Sequence, residues 1–267
     1  MSTSVEFLYY MKKIQYYSEA IGLMYWDLRT GAPKKGTDQR SQVIGTLSSE
    51  VFNMRTSPEL EKMLIELEKD FDSLDEITKK SYEEAKKEFD MSKKIPPKEY
   101  KDYVILISKG ETVWEEAKDK NDFDMFLPYL KDIVETNKRF VNYWGVKDNN
   151  PYNTLLDLYE PGMTTDVLDE VFGELRSKIV PLVKKISESS NQPSTDCLFK
   201  HFPKEKQKQF SLDILKQLGY DFNAGRLDET VHPFATGLNR GDVRITTKYD
   251  EKDFRSAVFG TIHECGH

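Results

Sequence analysis

"DVRITTKYDEKDFRSAVFGTIHECGH", residues 242–267, decides how this chain is read. Its opening stretch is rich in β-branched side chains and alternates in type, so 242–249 predicts a strand. A partner for that strand is expected just upstream, around 232–239. After Asp250 the pattern turns helical, with Asp250 as the expected cap and Asp253 three residues on as a weak capping box. The helix carries His263, Glu264 and His267 as His-Glu-x-x-His. Residues i and i+4 lie about 40° apart around a helix, one turn above each other. Two imidazoles so placed can converge on one metal ion. Glu264 sits about 100° from His263, where its carboxylate can take a proton from an attacking water without itself being a ligand.

The surrounding residues agree with that reading. Phe254, Val258, Ile262 and Cys265 are expected on one apolar face, with Ala257 beside them. Ser256 and Gly260 fall on the histidine side and leave room for a substrate to approach. Cys265 is expected to point to the apolar face as a buried thiol rather than to the metal. Paired histidines also occur as ordinary surface or core residues. The chain has only four histidines, however, at 201, 232, 263 and 267. That scarcity favours a metal site over coincidence.

Upstream, the chain reads as helix. Apolar residues recur at helical spacing over 4–29, a break falls at "TGAPKKG" (30–36), and a second helix is expected from about Asp38 to Arg55. Ser57-Pro58 is a start signal. A charged helical stretch is expected from there to Lys94, ended by Ile95-Pro96-Pro97. "VKDNNPYN" (146–153) reads as a loop. Thr164 or Thr165 caps a helix reaching about Ser187, with Pro181 inside it. "SESSNQPSTD" reads as a flexible loop, and Pro203 and Gly219 bracket one more helix. The expected fold class is mainly α, with a short β element directly before the last helix.

The composition excludes several functions. There are 267 residues, 38 % hydrophobic and 32 % charged, with a net charge of −7. Excess negative charge argues against nucleic acid or an anionic membrane as partner. No run of about 18 apolar residues is present to cross a bilayer, and no secretory signal pattern opens the chain. Two cysteines, Cys197 and Cys265, make no disulfide framework. A reducing cytoplasm is the expected setting.

Within the strand, Asp242, Arg244 and Thr246 alternate and so share one face. Arg244 suits the grip of a carboxylate or a backbone carbonyl; equally, an Asp–Arg pair can simply support the strand. His232 is held extended by Pro233, which suits either a substrate contact or a plain turn.

Four segments together resemble the carboxypeptidase Taq family, the thermostable carboxypeptidase 1 type of metallocarboxypeptidase. They are "YWDLRTGAPKKGTDQRSQVIGTLS" (25–48), "NTLLDLYEPGMT" (153–164), "HPFATGLNRGDVRITTKY" (232–249) and "FGTIHECGH" (259–267). The resemblance implies a zincin-type helical metallopeptidase with a long cleft and a small β-sheet at its floor. It also implies release of single amino acids from peptide C-termini, zinc replaceable by cobalt, and a homo-oligomer, specifically a homodimer, in the cytoplasm. His263 and His267 become metal ligands and Glu264 the general base. His232, Phe234, Asp242, Arg244 and Thr246 become cleft residues that bind substrate. The family's third ligand is a glutamate on a later helix, for which 1–267 has no counterpart. The chain is therefore expected to be one incomplete metallopeptidase domain, helical over 1–220, with cleft strands and metal helix over 228–267. By itself it is expected to bind zinc weakly and to be inactive. The rival readings are a metallopeptidase with endo- or aminopeptidase action, and a non-catalytic helical interaction module that keeps the motif unused.

Overall fold

Prolines and capping side chains set where the helices begin. The computed structural model describes residues 2–267. Helix α1 spans Thr3–Thr30 and α2 spans Thr37–Arg55. Ser57 Oγ accepts from the Leu60 N–H at 3.1 Å and caps α3 (Pro58–Lys69), with Pro58 at its first position. The expected charged helix to Lys94 is in fact two. Asp75 Oδ1 accepts from the N–H groups of Ile77 and Thr78, each at 3.1 Å, and starts α4 (Glu76–Ser92) afresh. A side-chain acceptor at this position satisfies the first N–H groups of a new helix, and here it outweighs the continuous charge pattern.

The prolines at 96 and 97 start α5 (Pro97–Lys120), and α6 covers Phe123–Trp144. The expected loop at 146–153 contains a single tight turn, after which Pro151 opens α7 (Pro151–Tyr159). Thr164 Oγ1 accepts from the Val167 N–H at 3.3 Å and caps α8 (Thr165–Ser187). Helix α9 (Lys204–Leu218) ends at Gly219, whose φ of 84° is the left-handed conformation that glycine adopts without a Cβ clash.

The chain forms two compact units, Met1–Ile133 with Lys200–His267, and Val134–Phe199. The units cut across the expected 1–220 and 228–267 division: strands and metal helix belong with the N-terminal helices. In that first unit a core gathers Phe7 of α1, Leu60, Met63, Leu64 and Leu67 of α3, and Tyr82, Ala85 and Phe89 of α4. Helices α2 and α5 cross closely at Gly45, where a Cβ would stand 2.5 Å from Ile105 Cγ1. Beside that crossing, the buried hydroxyls of Ser41 and Ser108 pair at 2.9 Å.

The β element is a three-stranded sheet of β1 (Leu227–Glu229), β2 (Ala235–Asn239) and β3 (Asp242–Thr247), in the order β1-β3-β2. Strands β2 and β3 are antiparallel, with Ala235 opposite Ile245 and Thr236 opposite Arg244. This is the pairing expected from the sequence. The parallel partner β1 was not expected: three residues, Leu-Asp-Glu, give no period to read.

The last helix, α10, spans Arg255–Gly266 and starts later than its sequence suggests. Asp250 caps only a turn, its Oδ1 accepting from the Lys252 N–H at 2.8 Å. Asp253 Oδ1 accepts from the Arg255 N–H at 3.1 Å and so takes over the start of α10. The inward stripe also differs from expectation. Ala257, Val258, Thr261 and Glu264 are the buried residues, whereas Ile262 and Phe259 are exposed and Cys265 is half-buried. The buried stripe is half polar because its partner surface is polar. Thr247 Oγ1 donates to the Ala257 carbonyl at 3.2 Å, and Thr261 Oγ1 lies 3.2 Å from Thr247 Oγ1 and 3.4 Å from Ser211 Oγ. These hydroxyls join α10 to β3 and α9 in one buried cluster.

Thr261→Val keeps the side chain's shape and strands its buried partners. Urea unfolding should show a loss of about 1–3 kcal/mol; unchanged stability would show that the hydroxyls contribute nothing to seating α10. Tyr249, hydrogen-bonded to Ser211, has its phenol pushed up to about 12, first by burial and then by nearby Glu229. A pKa raised in the folded state adds stability that is complete below the ordinary tyrosine value and is lost as pH climbs through the folded one. Stability should therefore fall between pH 10 and about 12, and Tyr249→Phe should remove that part of the fall in pH-dependent denaturation curves.

Candidate metal centre and cleft

Helical geometry divides α10 into two sides. With Ala257, Val258, Thr261 and Glu264 turned inward, the side chains of His263 and His267 are turned out, and both are exposed. Their ring centroids are 5.0 Å apart and the ring planes meet at 87°. Two imidazoles one turn apart, free of the core, suit a borderline divalent metal. Glu264 is only 8 % exposed. It follows His263 in the chain but is turned to the buried side of α10, largely out of bulk water. Among the described residues, no three His, Cys, Asp or Glu side chains are gathered where they could hold a metal ion. The half-buried Cys265 thiol is raised by desolvation, which disfavours the thiolate a metal would need.

The segment His232-Pro233-Phe234 passes beside the histidine side of α10. A Cβ on Gly260, one turn before His263, would lie 3.8 Å from Pro233 Cγ. His232 is exposed and meets the Trp114 ring of α5 edge-on, with centroids 6.0 Å apart. Phe234 turns the other way and packs edge-on against the buried Trp26 of α1 at 5.4 Å.

The strand residues are distributed by alternation. Ile245 and Thr247 face α10 and its neighbours, while Asp242 and Arg244 face α1. Asp242 Oδ1 and Oδ2 accept from Arg244 Nε and a terminal nitrogen, both at 2.7 Å. This bond holds the Asp242 carboxyl below and the Arg244 guanidinium above their ordinary values. The guanidinium also lies 5.6 Å over the Trp26 ring. Of the two readings left open by sequence, the geometry displays the supporting pair. Thr246 is fully buried; its hydroxyl accepts from the Phe234 N–H at 2.7 Å and donates to the Phe234 carbonyl at 3.0 Å. It fixes the His-Pro-Phe segment rather than facing open space. Of the eight residues singled out by sequence, His263 and His267 lie on the exposed side of α10, Glu264 is turned to its buried side, and His232 is exposed against Trp114. Phe234, Asp242 and Arg244 lie on the α1 side of the sheet, and Thr246 is buried between.

Three contributors escaped the sequence reading. Trp114 gives no local signal, since nothing in α5 marks one aromatic above another. Thr261 could have been found: it is three residues before Glu264 and so on the same helix side. Arg29 lies near the end of α1, its side chain 8 % exposed and ion-paired with Glu111. Desolvation lowers its pKa, partly offset by nearby Glu115.

With this geometry in hand, comparison with known proteins is direct. The family described as carboxypeptidase Taq (M32) metallopeptidase matches residues 6–267. Carboxypeptidase 1 of Bacillus subtilis is 59 % identical over 262 residues, which are 98 % of this chain and 52 % of that protein. Thermostable carboxypeptidase 1 of Thermus thermophilus is 33 % identical over 270 residues, 97 % of this chain and 53 % of its own length. The solved structure described as BsuCP superposes with a TM-score of 0.98 at 58 % identity, covering all of this chain and 54 % of that one. A Pyrococcus furiosus carboxypeptidase structure gives 0.86 at 33 %, again covering all of this chain and 54 % of that one. The chain spans about half the length of the curated relatives it matches. These likenesses lend no support to the expectation that it is inactive. A His-Glu-x-x-His helix seated on a small sheet, in an otherwise helical chain matched from residue 6 to residue 267, places it plainly: the chain belongs to the carboxypeptidase Taq (M32) metallopeptidase family.

Proposed function

We propose that the whole protein is a metallocarboxypeptidase that releases C-terminal amino acids from peptides. The observation that carries this reading is the pair His263 and His267, turned outward on α10 with Glu264 set between them. Membership of a metallopeptidase family implies a divalent metal. We infer zinc, with cobalt as a working substitute, because imidazole donors suit both. His263 and His267 would hold it. Bound there, the metal supplies Lewis-acid polarisation of the scissile carbonyl. Glu264 then accepts the proton of the attacking water and returns it to the departing amine. The partly enclosed setting of Glu264 keeps that proton from bulk solvent. His232, in a bend before Pro233 and edge-on to Trp114, would orient the peptide beside the histidines.

A cytoplasmic setting is part of the same proposal, supported by the absence of any disulfide framework in the sequence. So is a homo-oligomer. Helix α8 buries none of its residues, and Phe172, Val180 and Val183 are each more than half exposed. Apolar surface of this kind favours association with a second copy. Light scattering should show a dimer or larger species that Val180→Glu with Val183→Glu converts to monomer; a wild-type monomer would refute the proposal.

The activity test uses a protein of the relatives' length. An N-blocked peptide with a free C-terminus should lose single residues, and its C-amidated twin should resist. Glu264→Gln should lower turnover by roughly 10²–10⁴-fold while metal content, read by elemental analysis, stays stoichiometric. His263→Ala and His267→Ala should lose the metal itself. Equal cleavage of the amidated peptide would favour endo- or aminopeptidase action, and absence of metal would favour the interaction module.

A further inference from the structure

We propose that a second cleft, beside the His232 segment, binds an acidic stretch of the peptide substrate. The inference rests on the peptidase reading for its choice of a peptide as ligand. The cleft has a volume of about 1080 Å³ and is walled by the end of α1, the following turn, α5, and the residues flanking β3. Val231 lies in its wall, and the next residues, His232 and Pro233, reach Trp114 and Gly260. The cleft wall thus ends one residue before the His-Pro-Phe segment, whose Pro233 approaches Gly260 of α10.

Charge matching within this cleft is uneven. Three of its five acidic groups are held in ion pairs. Asp38 pairs with Lys109 at 3.0 Å, Glu116 with Lys120 at 2.5 Å, and Glu229 with Lys204 at 2.5 Å. Glu115 lies close to buried Arg29, which acts on its carboxyl. Among the described residues, Glu115 and Asp119 are the acidic groups of this cleft with no direct ion pair. Among the described residues, by contrast, Lys34, Lys35, Lys118 and Lys248 line the same cleft and form no ion pair with a carboxylate. Lys118 is instead positioned 5.0 Å over the Trp114 ring, the ring that braces His232. Lys34 bears on Glu115 and Glu116 only at longer range.

A chain with a net charge of −7 thus holds several unmatched cations in one concave place. Concave walls of low dielectric concentrate such a field and raise the local concentration of oppositely charged ligand. The contrast with the cavity on the α1 side of the sheet is instructive. There Arg40 is bound by Asp27, Arg226 by Asp228 and Arg244 by Asp242, so three cations face a matching set of anions. In the cleft beside His232, by comparison, Lys34, Lys35, Lys118 and Lys248 have no carboxylate bound to them among the described residues. Lysine, a flexible point charge, suits carboxylate side chains at varied positions, which fits a broad preference for acidic residues rather than one fixed site.

The test measures binding to this chain by fluorescence anisotropy. The ligands are short labelled peptides of one length, rich in Glu, Gln or Lys. At about 0.05 M salt the Glu peptide should bind at least about five-fold tighter than the Gln peptide, and the gap should close near 0.5 M as screening shortens the field. Lys34→Glu with Lys35→Glu, and separately Lys248→Glu, should each reduce that preference by about two- to five-fold. All these lysines are exposed, so folding should persist, as circular dichroism can show. Equal affinity for Glu and Gln peptides would overturn the inference, as would a preference untouched by charge reversal. An oligonucleotide of equal charge binding as tightly as the Glu peptide would also overturn it, by revealing a general polyanion site. Hydrolysis of the Gln peptide, by a protein of the relatives' length loaded with metal, is read separately. Its absence alongside an intact Glu preference counts against the peptidase reading and supports the cleft; its presence without that preference counts against the cleft alone.

Discussion

The functional arrangement depends on how α10 is rotated about its own axis. A short helix with a weakly defined apolar side has several nearly equivalent ways to lie on a sheet. The hydroxyl cluster of Thr247, Thr261 and Ser211 removes that freedom, because only one rotation places Thr261 against both partners and the Ala257 carbonyl against Thr247. A buried polar group is costly when unmatched, so the wrong rotations are penalised more than the right one is rewarded. Once Thr261 is inward, helical period turns Glu264 inward beside it and His263 and His267 outward. The spacing of the motif is written in the sequence, but its direction in space comes from three hydroxyl groups.

This explains which parts of the molecule could be read in advance. Helix starts marked by a proline and a capping oxygen, at Ser57 and Thr164, were legible because the signal is local. So were the β2–β3 pairing and the spacing of the two histidines. The split at Asp75 was missed because an unbroken charged pattern looks like a single helix until one carboxylate is seen to cap a new one. The inward stripe of α10 was misread for a related reason. Hydrophobicity pointed to Phe254, Ile262 and Cys265, yet the partner surface supplied by β3 and α9 is polar, so Thr261 and Glu264 are buried instead. Pattern shows which side of a helix is apolar, but not what surface will be offered to it. Strand β1 was invisible for want of length.

The sheet also acts as a partition, and this bears on Asp242, Arg244 and Thr246. Their shared face was legible, but not the direction in which it looks. It looks toward α1, where Trp26 takes both the Phe234 ring and the Arg244 guanidinium. The two sides are nevertheless coupled mechanically. Thr246 grips the backbone of Phe234 from within the sheet, two residues from His232. Arg244 is fixed by Asp242, and Trp26 is packed against both Arg244 and Phe234. Asp242, Arg244 and Thr246 thus hold the His-Pro-Phe segment in place, and through it the imidazole of His232.

Net charge, finally, is a poor guide to local chemistry in this fold. The value of −7 describes the whole surface, where lysines such as Lys80, Lys86 and Lys98 meet a glutamate or aspartate three or four residues away on the same helix. Such pairs cancel within a few ångströms and leave little field beyond the Debye length. What a ligand meets is set by the charges left over in the place where it binds. The turn after α1 has no helix to supply such i,i+4 partners, so Lys34 and Lys35 remain unpaired there. Lys248 lies at the exit of β3, in the same position of having no helical neighbour. At Lys34, Lys35 and Lys248 unmatched cations thus sit where regular helix or strand stops, at the border of this cleft.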